Sequence, residues 1–286
     1  MTKEQHFLLV GVQHKCLELL SVFDRFCLNN DLIYYVCGGG CIGAVRHHGF
    51  IPWDDDIDVM MPREDFEKLK ILWPQQIDES SYKFNDNSES SFLRTMWASI
   101  SDENTTFIKE RQKDLDISHG IKLEIIPLDG CPSGRWQRMK QMFWALIHQI
   151  YIYQEPPISK GKFLKALGSI ILRFHKSWPA RYRAAKRAER RMSKYAFNDC
   201  DKVTELTTRF HYMLNEYPKD AFKSAIRTDF EGFMMPIPVG YDTYLRMAFG
   251  DYMQMPPESE RIPKHDAVFI DSNRSYLRYR GIYYLI

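Results

Sequence analysis

The sequence predicts a mixed α/β (α+β) fold, with a mixed sheet, flanking helices, and a helical insertion or second half. Up to residue 133, short runs of β-forming residues alternate with segments of helical period. Beyond Gly134 the helical period dominates for three successive segments. The composition, 44% hydrophobic and 27% charged over 286 residues, is that of a globular protein with a sizeable core.

The first elements follow from the spacing of apolar residues. Residues 4–29 predict one long helix, because apolar residues recur on one face at three- and four-residue steps. Residues 32–37 predict a short strand, and Gly38-Gly39-Gly40 after it predicts a tight turn. A short helix is expected over 41–48, and residues 56–60, which alternate acidic and apolar side chains, predict a second strand.

The next elements are marked by prolines. Pro62 predicts the start of a helix over 63–72, because proline suits a first turn and the acids that follow it suit the helix dipole. Residues 82–108 predict two or three strands, and 121–126 a further strand closed by Pro127. Helices are then expected over 136–153, 160–175 and 179–197, before a tail from 230 rich in Pro, Tyr and Gly.

The distribution of charge limits the partners and the location. A net charge of +2 gives no global attraction for nucleic acid, so a nucleic-acid partner is not expected. The apolar stretches fall short of the roughly 20 residues of a membrane span, and no signal peptide is recognised, so a cytoplasmic protein is expected. Residues 173–194, with nine Lys or Arg and one acid, leave two readings open. They form either a peripheral contact with the inner face of the membrane, or a solvated helix face or funnel for an anionic substrate.

The strongest chemical signal is an acidic cluster before and within the second strand. Asp54, Asp56 and Asp58 alternate, so a strand would point all three the same way. Like charges on one face are unfavourable without a cation, and oxygen ligands suit Mg²⁺ or Mn²⁺. A solvated acidic loop is the alternative, but the apolar neighbours argue against it. An EF-hand does not fit, because Val59 stands where its glycine would be.

Two further features could complete such a site. The backbone N–H groups of Gly38, Gly39 and Gly40 could hold phosphate, although the motif lacks the Lys of a P-loop and could be a simple turn. Glu124, in an otherwise apolar strand, is expected to supply a third carboxylate beside Asp56 and Asp58, with Asp129 a weaker candidate.

Basic residues near these motifs could bind the phosphates of a substrate. Arginine binds phosphate with two parallel hydrogen bonds, and histidine can also carry protons near neutral pH. Each candidate could equally form an ordinary surface salt bridge. The candidates are Arg46, His47, His48, Arg63 and, in the tail, His265.

These motifs together resemble the LicD family, which includes bacterial phosphocholine transferases and is related to fukutin and the fukutin-related protein. The resemblance rests on GGCIGAVRHHGFIPWDDDID at 39–58, LEIIPLDG at 123–130, and a C-terminal block at 236–257 with His265. The chain departs from the family pattern at three positions. Gly40 replaces Ser or Thr, His48 replaces Lys, and Glu124 replaces Asp.

The resemblance implies a nucleotidyltransferase-like catalytic core over 1–133, a helical region over 134–229, and a C-terminal segment over 230–286 that completes the active site. It also implies a metal-dependent phosphotransferase that uses Asp56, Asp58 and Glu124, with Asp54 as an added metal ligand. The expected donor is CDP-choline, and the expected acceptor is a glycan, lipid-linked, of lipopolysaccharide, capsule or teichoic acid. An aromatic box could hold the quaternary ammonium, with Trp53, Trp97 and the tail tyrosines available.

Three alternatives remain open from the sequence. The same site could transfer a polyol phosphate or sugar phosphate from another CDP-activated donor. It could instead transfer the nucleotide itself. The chain could also be a binding or scaffold protein with an inactive core, although its acids at 56, 58 and 124 are all present.

Overall fold

The computed structural model describes residues 3–155, 161–263 and 267–286. Its centre is a mixed sheet in the order β1-β2-β6-β4-β3, and β7 and β8 extend it beside β6. These strands are β1 (Tyr35–Cys37), β2 (Ile57–Pro62), β3 (Tyr82–Asn85), β4 (Ala98–Asp102), β6 (Ile121–Cys131), β7 (Lys202–Glu205) and β8 (Tyr217–Pro218). The predicted α/β class is confirmed.

Helices and two antiparallel strand pairs surround this sheet. The pairs are β9 (Ala225–Phe230) with β10 (Phe233–Pro238), and β5 (Thr106–Lys109) with β11 (Ala267–Asp271). The helices are α1 (Lys3–Asn29), α2 (Gly38–His47), α3 (Arg63–Gln76), α4 (Arg135–Tyr153), α5 (Gly161–Phe174), α6 (Trp178–Met192), α7 (Phe210–Met213) and α8 (Tyr241–Phe249).

Alternation along β2 and β6 separates the core from the functional face. These two strands run parallel, with Asp58 level with Glu124. On one face, Ile57, Val59, Leu123 and Ile125 are completely or almost completely buried in the main core. Successive strand residues point to opposite faces, so Asp58 and Glu124 share the other face. The sheet therefore brings together two acids that are 66 residues apart in sequence.

Two predicted boundaries are corrected by the structure. The three glycines do not form a separate turn, because α2 begins at Gly38 itself, whose φ of 54° is a left-handed value that glycine tolerates. Pro127 does not close its strand, since β6 continues to Cys131. Along one side of β6 the partner is β4 up to Ile125 and β7 from Leu128, so the proline falls where that side has no partner strand.

The third helix predicted after Gly134 is shorter than expected. α6 ends at Met192, five residues before the predicted end of that helix. Residues 202–205 and 217–218 return to the central sheet as β7 and β8, and 225–230 form β9. The central sheet therefore contains strands that precede the three helices in the sequence and strands that follow them. Such long-range pairing cannot be predicted from the local spacing of apolar residues. The second predicted helix begins at Gly161, and its first predicted residue, Lys160, lies outside the described residues.

Candidate active site

A cavity of about 540 Å³ lies on the polar face of β2 and β6. Asp58 and Met60 line it from β2, and Glu124 and Ile126 line it from β6, in agreement with the alternation of these strands. Asp54 and Asp56, from the segment before β2, line the same cavity. We call Asp54, Asp56, Asp58 and Glu124 the carboxylate wall. All four acids proposed as metal ligands from the sequence therefore share one cavity.

The segment that carries Asp54 and Asp56 is irregular, because β2 begins only at Ile57. The backbone N–H of Asp54 donates to the Ile51 carbonyl at 2.8 Å, and Gln13 of α1 donates to the Asp54 carbonyl at 2.8 Å. One carboxylate oxygen each from Asp54, Asp55 and Asp56 lies within 4.8 Å of the others. Asp55 was not among the predicted ligands. It is buried and lines a small pocket beside the cavity, together with Asp56 and Glu124.

Lys109 places a positive charge beside this wall. Burial, followed by the charges of Asp56, Glu124 and Asp54, raises the pKa of Asp58 well above its usual range. Burial disfavours the ammonium of Lys109, but Glu124 and Asp56 outweigh that effect and raise the lysine's pKa. Lys109 Nζ lies 3.2 Å from Glu124 Oε1. The wall is therefore a strongly acidic surface with an ammonium group at its edge.

The donor set fits a divalent cation. Asp58 Oδ1 is buried and has no hydrogen-bond partner among the residues that the structure describes. An orphaned buried oxygen is unfavourable unless something absent from the protein satisfies it. Carboxylate oxygens that converge, as those of Asp54, Asp55 and Asp56 do within 4.8 Å, are the ligands preferred by Mg²⁺ and Mn²⁺. Asp54, Asp56, Asp58 and Glu124 are the residues that would hold the ion.

Two of the three glycines lie directly against the carboxylate wall. Gly38 and Gly39 line the cavity, whereas Gly40 is buried beneath Val36 and does not. A Cβ on Gly39 would overlap Asp54 Oδ2, and one on Gly38 would lie 3.7 Å from Asp58 Oδ2. The N–H of Gly38 is already used, because it donates to the Tyr244 hydroxyl at 3.0 Å. Glycine at 39 is therefore required for the close approach of backbone and carboxylate.

Among the other predicted phosphate-binding residues, Arg46, His47, His48 and Arg63 do not line the cavity. The Arg46 guanidinium donates to the carbonyls of Tyr252 and Gln254 at 2.7 and 3.3 Å, and its Nε donates to His47 at 3.0 Å. Burial and the nearby Arg46 charge lower the pKa of His47. These contacts hold α2 against the C-terminal segment. His48 ends α2 with a left-handed φ of 57°, and His265 lies outside the described residues.

Arg63 and Asp129 form a buried pair away from the cavity. The guanidinium donates to both Asp129 oxygens at 2.8 Å and also pairs with Glu189 of α6 at 3.2 Å. Asp129 is completely buried. It lies five residues after Glu124 in β6, so strand alternation points the two side chains to opposite faces of the sheet. The structure therefore gives Arg63 a bridging position between sheet and α6, and Asp129 does not join the carboxylate wall.

The cavity also contains cations that the sequence reasoning missed. Lys109, Arg111 and Arg209 line it, from the end of β5, the turn after it, and the residue before α7. Among the described residues, neither Arg111 nor Arg209 forms an ion pair, so both guanidinium groups can bind an anion. Lys109 and Arg111 could have been found from the sequence, because they belong to a charged run, Lys109-Glu110-Arg111, at the end of a strand. No local pattern marks Arg209.

Aromatic residues and two more acids also line the cavity. The rings are Trp97, Tyr153, Tyr212, Tyr244 and Phe249, and the acids are Glu110, directly after β5, and Glu205 at the end of β7. Of the aromatic candidates from the sequence, Trp97 and the tail residue Tyr244 are present. Trp53 lies elsewhere, with the Arg261 guanidinium 5.9 Å from its ring centroid.

Comparison with known proteins finds one matching family model and several similar proteins. Residues 31–117 match the family model described as LicD/FKTN/FKRP, nucleotidyltransferase domain. The lipopolysaccharide cholinephosphotransferase LicD of Haemophilus influenzae is 29% identical over 263 residues, which cover 87% of this chain and 93% of that protein. Uncharacterized proteins of Rickettsia prowazekii and Rickettsia typhi are 44% and 36% identical over 58 and 70 residues, covering 20% and 24% of this chain and 22% of each relative.

Proposed function

We propose that this chain, a transferase of the LicD family, moves phosphocholine from CDP-choline to a glycan hydroxyl. The expected acceptor is a lipid-linked precursor of lipopolysaccharide, since the Haemophilus influenzae relative is named a lipopolysaccharide cholinephosphotransferase. Capsule and teichoic acid precursors are further candidate acceptors. The observation that carries the proposal is that the carboxylate wall, Arg111 and Arg209 line one cavity.

The reaction follows from these groups. The acceptor oxygen attacks the phosphorus that bears choline, a new P–O bond forms, and the bond to the CMP oxygen breaks with its electron pair. Arg111 and Arg209 bind phosphate oxygens and hold the diphosphate in line with the acceptor. When bound to the carboxylate wall, Mg²⁺ or Mn²⁺ would neutralise the diphosphate and stabilise the leaving CMP.

An acid of the wall must accept the proton of the acceptor hydroxyl. Asp56 and Glu124 line both the main cavity and the adjoining small pocket, so their carboxylates are accessible from the cavity in which the substrates would meet. The Lys109 ammonium 3.2 Å from Glu124 favours the ionised, proton-accepting form of that side chain. We assign this role to Glu124, with Asp56 as the alternative.

The test is a donor screen with the purified full chain and Mg²⁺. CDP-choline, CDP-ethanolamine, CDP-glycerol and CDP-ribitol are supplied separately, with and without glycan acceptors, and released CMP is measured. We expect release from CDP-choline, loss of it in Asp58→Asn, and no change in Asp114→Asn, an exposed acid paired with Arg94.

Other outcomes of the screen select the alternatives. Release from a polyol donor would keep the chemistry and change the substrate. Nucleotide found on the product would indicate nucleotidyl transfer. No reaction and no metal binding would favour an inactive binding protein.

We further propose that the basic segment 173–194 contacts an anionic membrane surface, together with the outer face of α4. No helix in the described ranges is long and apolar enough to cross a membrane. On α4, Trp136, Met139 and Phe143 are exposed at helical spacing, and Arg191 of α6 stacks on the neighbouring Trp144 at 4.2 Å. Exposed aromatic residues beside arginines are typical of interfacial helices.

Liposome sedimentation tests this contact. Phosphatidylcholine vesicles with phosphatidylglycerol should bind the chain, and vesicles without it should not. Binding should be abolished when Gln replaces Arg183, Arg187, Arg190 and Arg191. Trp136→Ser should weaken it in part. Unchanged binding after the fourfold replacement, or no binding by the original chain, would contradict the proposal.

A further inference from the structure

Glu205 is a buried carboxylate that faces the cavity without a cationic partner. It is 3% exposed, lines the cavity, and accepts a hydrogen bond of 2.6 Å from the Tyr217 hydroxyl. Within residues 3–155, 161–263 and 267–286, no Lys or Arg pairs with it, although Arg209 lines the same cavity. A buried carboxylate without a cation is unfavourable, so its position at a cavity indicates that a ligand supplies the positive charge.

Aromatic rings stand beside this carboxylate. Tyr212 of α7 and Phe249 of α8 have ring centroids 5.8 Å apart, and Phe249 lies 6.4 Å from Tyr244. Tyr244 in turn packs at 5.3 Å from Tyr217, whose hydroxyl holds Glu205. Phe249 is 37% exposed and Tyr212 is half-buried, so both rings can contact a ligand in the cavity.

This cluster also lies within electrostatic range of the carboxylate wall. The charges of Glu205 and Asp58 both raise the pKa of Tyr212, after the larger effect of burial. Cys37, which pairs with Asp58 in the sheet, lines the same cavity as Tyr212 and Glu205. A ligand whose diphosphate reaches Asp58 would therefore extend its terminal group to Tyr212 and Glu205.

We infer that Glu205, Tyr212 and Phe249 form a head-group subsite that binds the quaternary ammonium of the donor. The rings attract a cation through their π faces, and Glu205 provides the balancing negative charge. Arg111 and Arg209 remain free for the phosphates. This inference rests on the proposed function, because it assumes a CDP-activated donor in the same cavity.

The subsite makes a choline-bearing donor preferable to an uncharged one. A quaternary ammonium has no N–H to donate, so rings and a carboxylate suit it better than directed hydrogen bonds. A polyol head group would instead leave the Glu205 charge unbalanced. The expected preference for CDP-choline over CDP-glycerol is about tenfold in Kd.

Calorimetric titration of the full chain with Mg²⁺ and CDP, CDP-choline or CDP-glycerol tests this subsite. Glu205→Gln keeps the shape and can still accept from Tyr217, but removes the charge. It should reduce the preference for CDP-choline to less than about twofold while CDP binds as before. Phe249→Leu, which keeps apolar volume and removes the ring, should reduce it about threefold. Glu258→Gln, an exposed acid, is the matched control and should change nothing.

Each result separates the inference from the proposed function. Equal binding of all donors, or an unchanged preference in both variants, would overturn the head-group subsite and leave CDP-dependent transfer intact. Failure of the original chain to bind any of the three nucleotides would overturn both. Thermal melting of each variant, with the CDP affinity as a measure of an intact cavity, distinguishes a lost subsite from a lost fold.

Discussion

The two parts of the cavity lining are built in different ways. The carboxylate wall comes from one short segment, residues 54–58, and one residue of the neighbouring strand. The remaining polar and aromatic lining includes Arg111, Glu205, Arg209, Tyr212 and Phe249, which come from three regions far apart in sequence. The first part is dense in like charge and fits an ion, whereas the second mixes cations, rings and two acids, Glu110 and Glu205. We expect the first to control rate and the second to control which donor binds.

The largest effect should follow the loss of one ligand from the carboxylate wall. Asp58→Asn should reduce kcat for CMP release about 10³-fold, the scale of removing a principal electrostatic contribution at an active site. Donor KM should change little in comparison. A loss below tenfold would show that the wall does not carry the chemistry.

Arg63 tests whether a basic residue near the motif serves the substrate or the fold. Arg63→Leu leaves Asp129 buried without its partner, which should destabilise the protein by about 3 kcal/mol. Thermal melting should show this loss, and donor KM should stay within about twofold wherever the variant is folded. A large rise in donor KM without loss of stability would show instead that Arg63 binds phosphate.

Glu205 should give the ligand-free protein a pH-dependent stability. Burial raises its pKa to about 7, against an ordinary 4.5, partly opposed by hydrogen bonds from Tyr217 and Thr208. The folded state therefore holds the proton more tightly, and this group's contribution to stability falls as pH rises from 4.5 to 7. The shift corresponds to at most about 3 kcal/mol. Glu205→Gln should melt higher than the original chain at pH 8 and equally at pH 4; identical melting differences at both pH values would contradict this.

Two glycines of α2 should separate function from folding. Gly39→Ala pushes a methyl group into Asp54 and should lower kcat about tenfold to a hundredfold with a small change in melting. Gly43→Ala would instead overlap the backbone carbonyl of Gly49 and should lower the melting temperature. Assays of both variants in parallel check the contrast, and a reversed pattern would show that Gly39 is a structural residue.

The smallest effect is expected from the unpaired arginines. Arg111→Gln or Arg209→Gln should raise the donor KM about tenfold and lower kcat less, because each removes one charge-assisted contact to phosphate. Initial rates at several donor concentrations separate the two parameters. Unchanged KM in both would mean that neither arginine binds the diphosphate.

The same contrast explains what the sequence could predict. Asp54, Asp56 and Asp58 repeat at strand spacing and Glu124 interrupts an apolar strand, so local patterns predicted that these four acids lie together, and all four line one cavity. The positions of Arg46 and Arg63 depended on partners more than sixty residues away, Tyr252 and Asp129, which no local pattern shows. Glu205 and Arg209 were missed for a related reason, because β7 joins the sheet only after the three helices. The end of β6 was predicted wrongly at Pro127. The strand accommodates this proline because its partner on that side changes there from β4 to β7.

Direct Mn²⁺ titration of the full chain, without any donor, tests whether the carboxylate wall binds a divalent cation. Electron paramagnetic resonance measures the free ion, with Asp58→Asn and the control Asp114→Asn in parallel. We predict a bound Mn²⁺ in the original chain and the control, displaced by excess Mg²⁺, with affinity at least about tenfold weaker in Asp58→Asn. Equal binding in all three proteins, or none in the original chain, would contradict the claim.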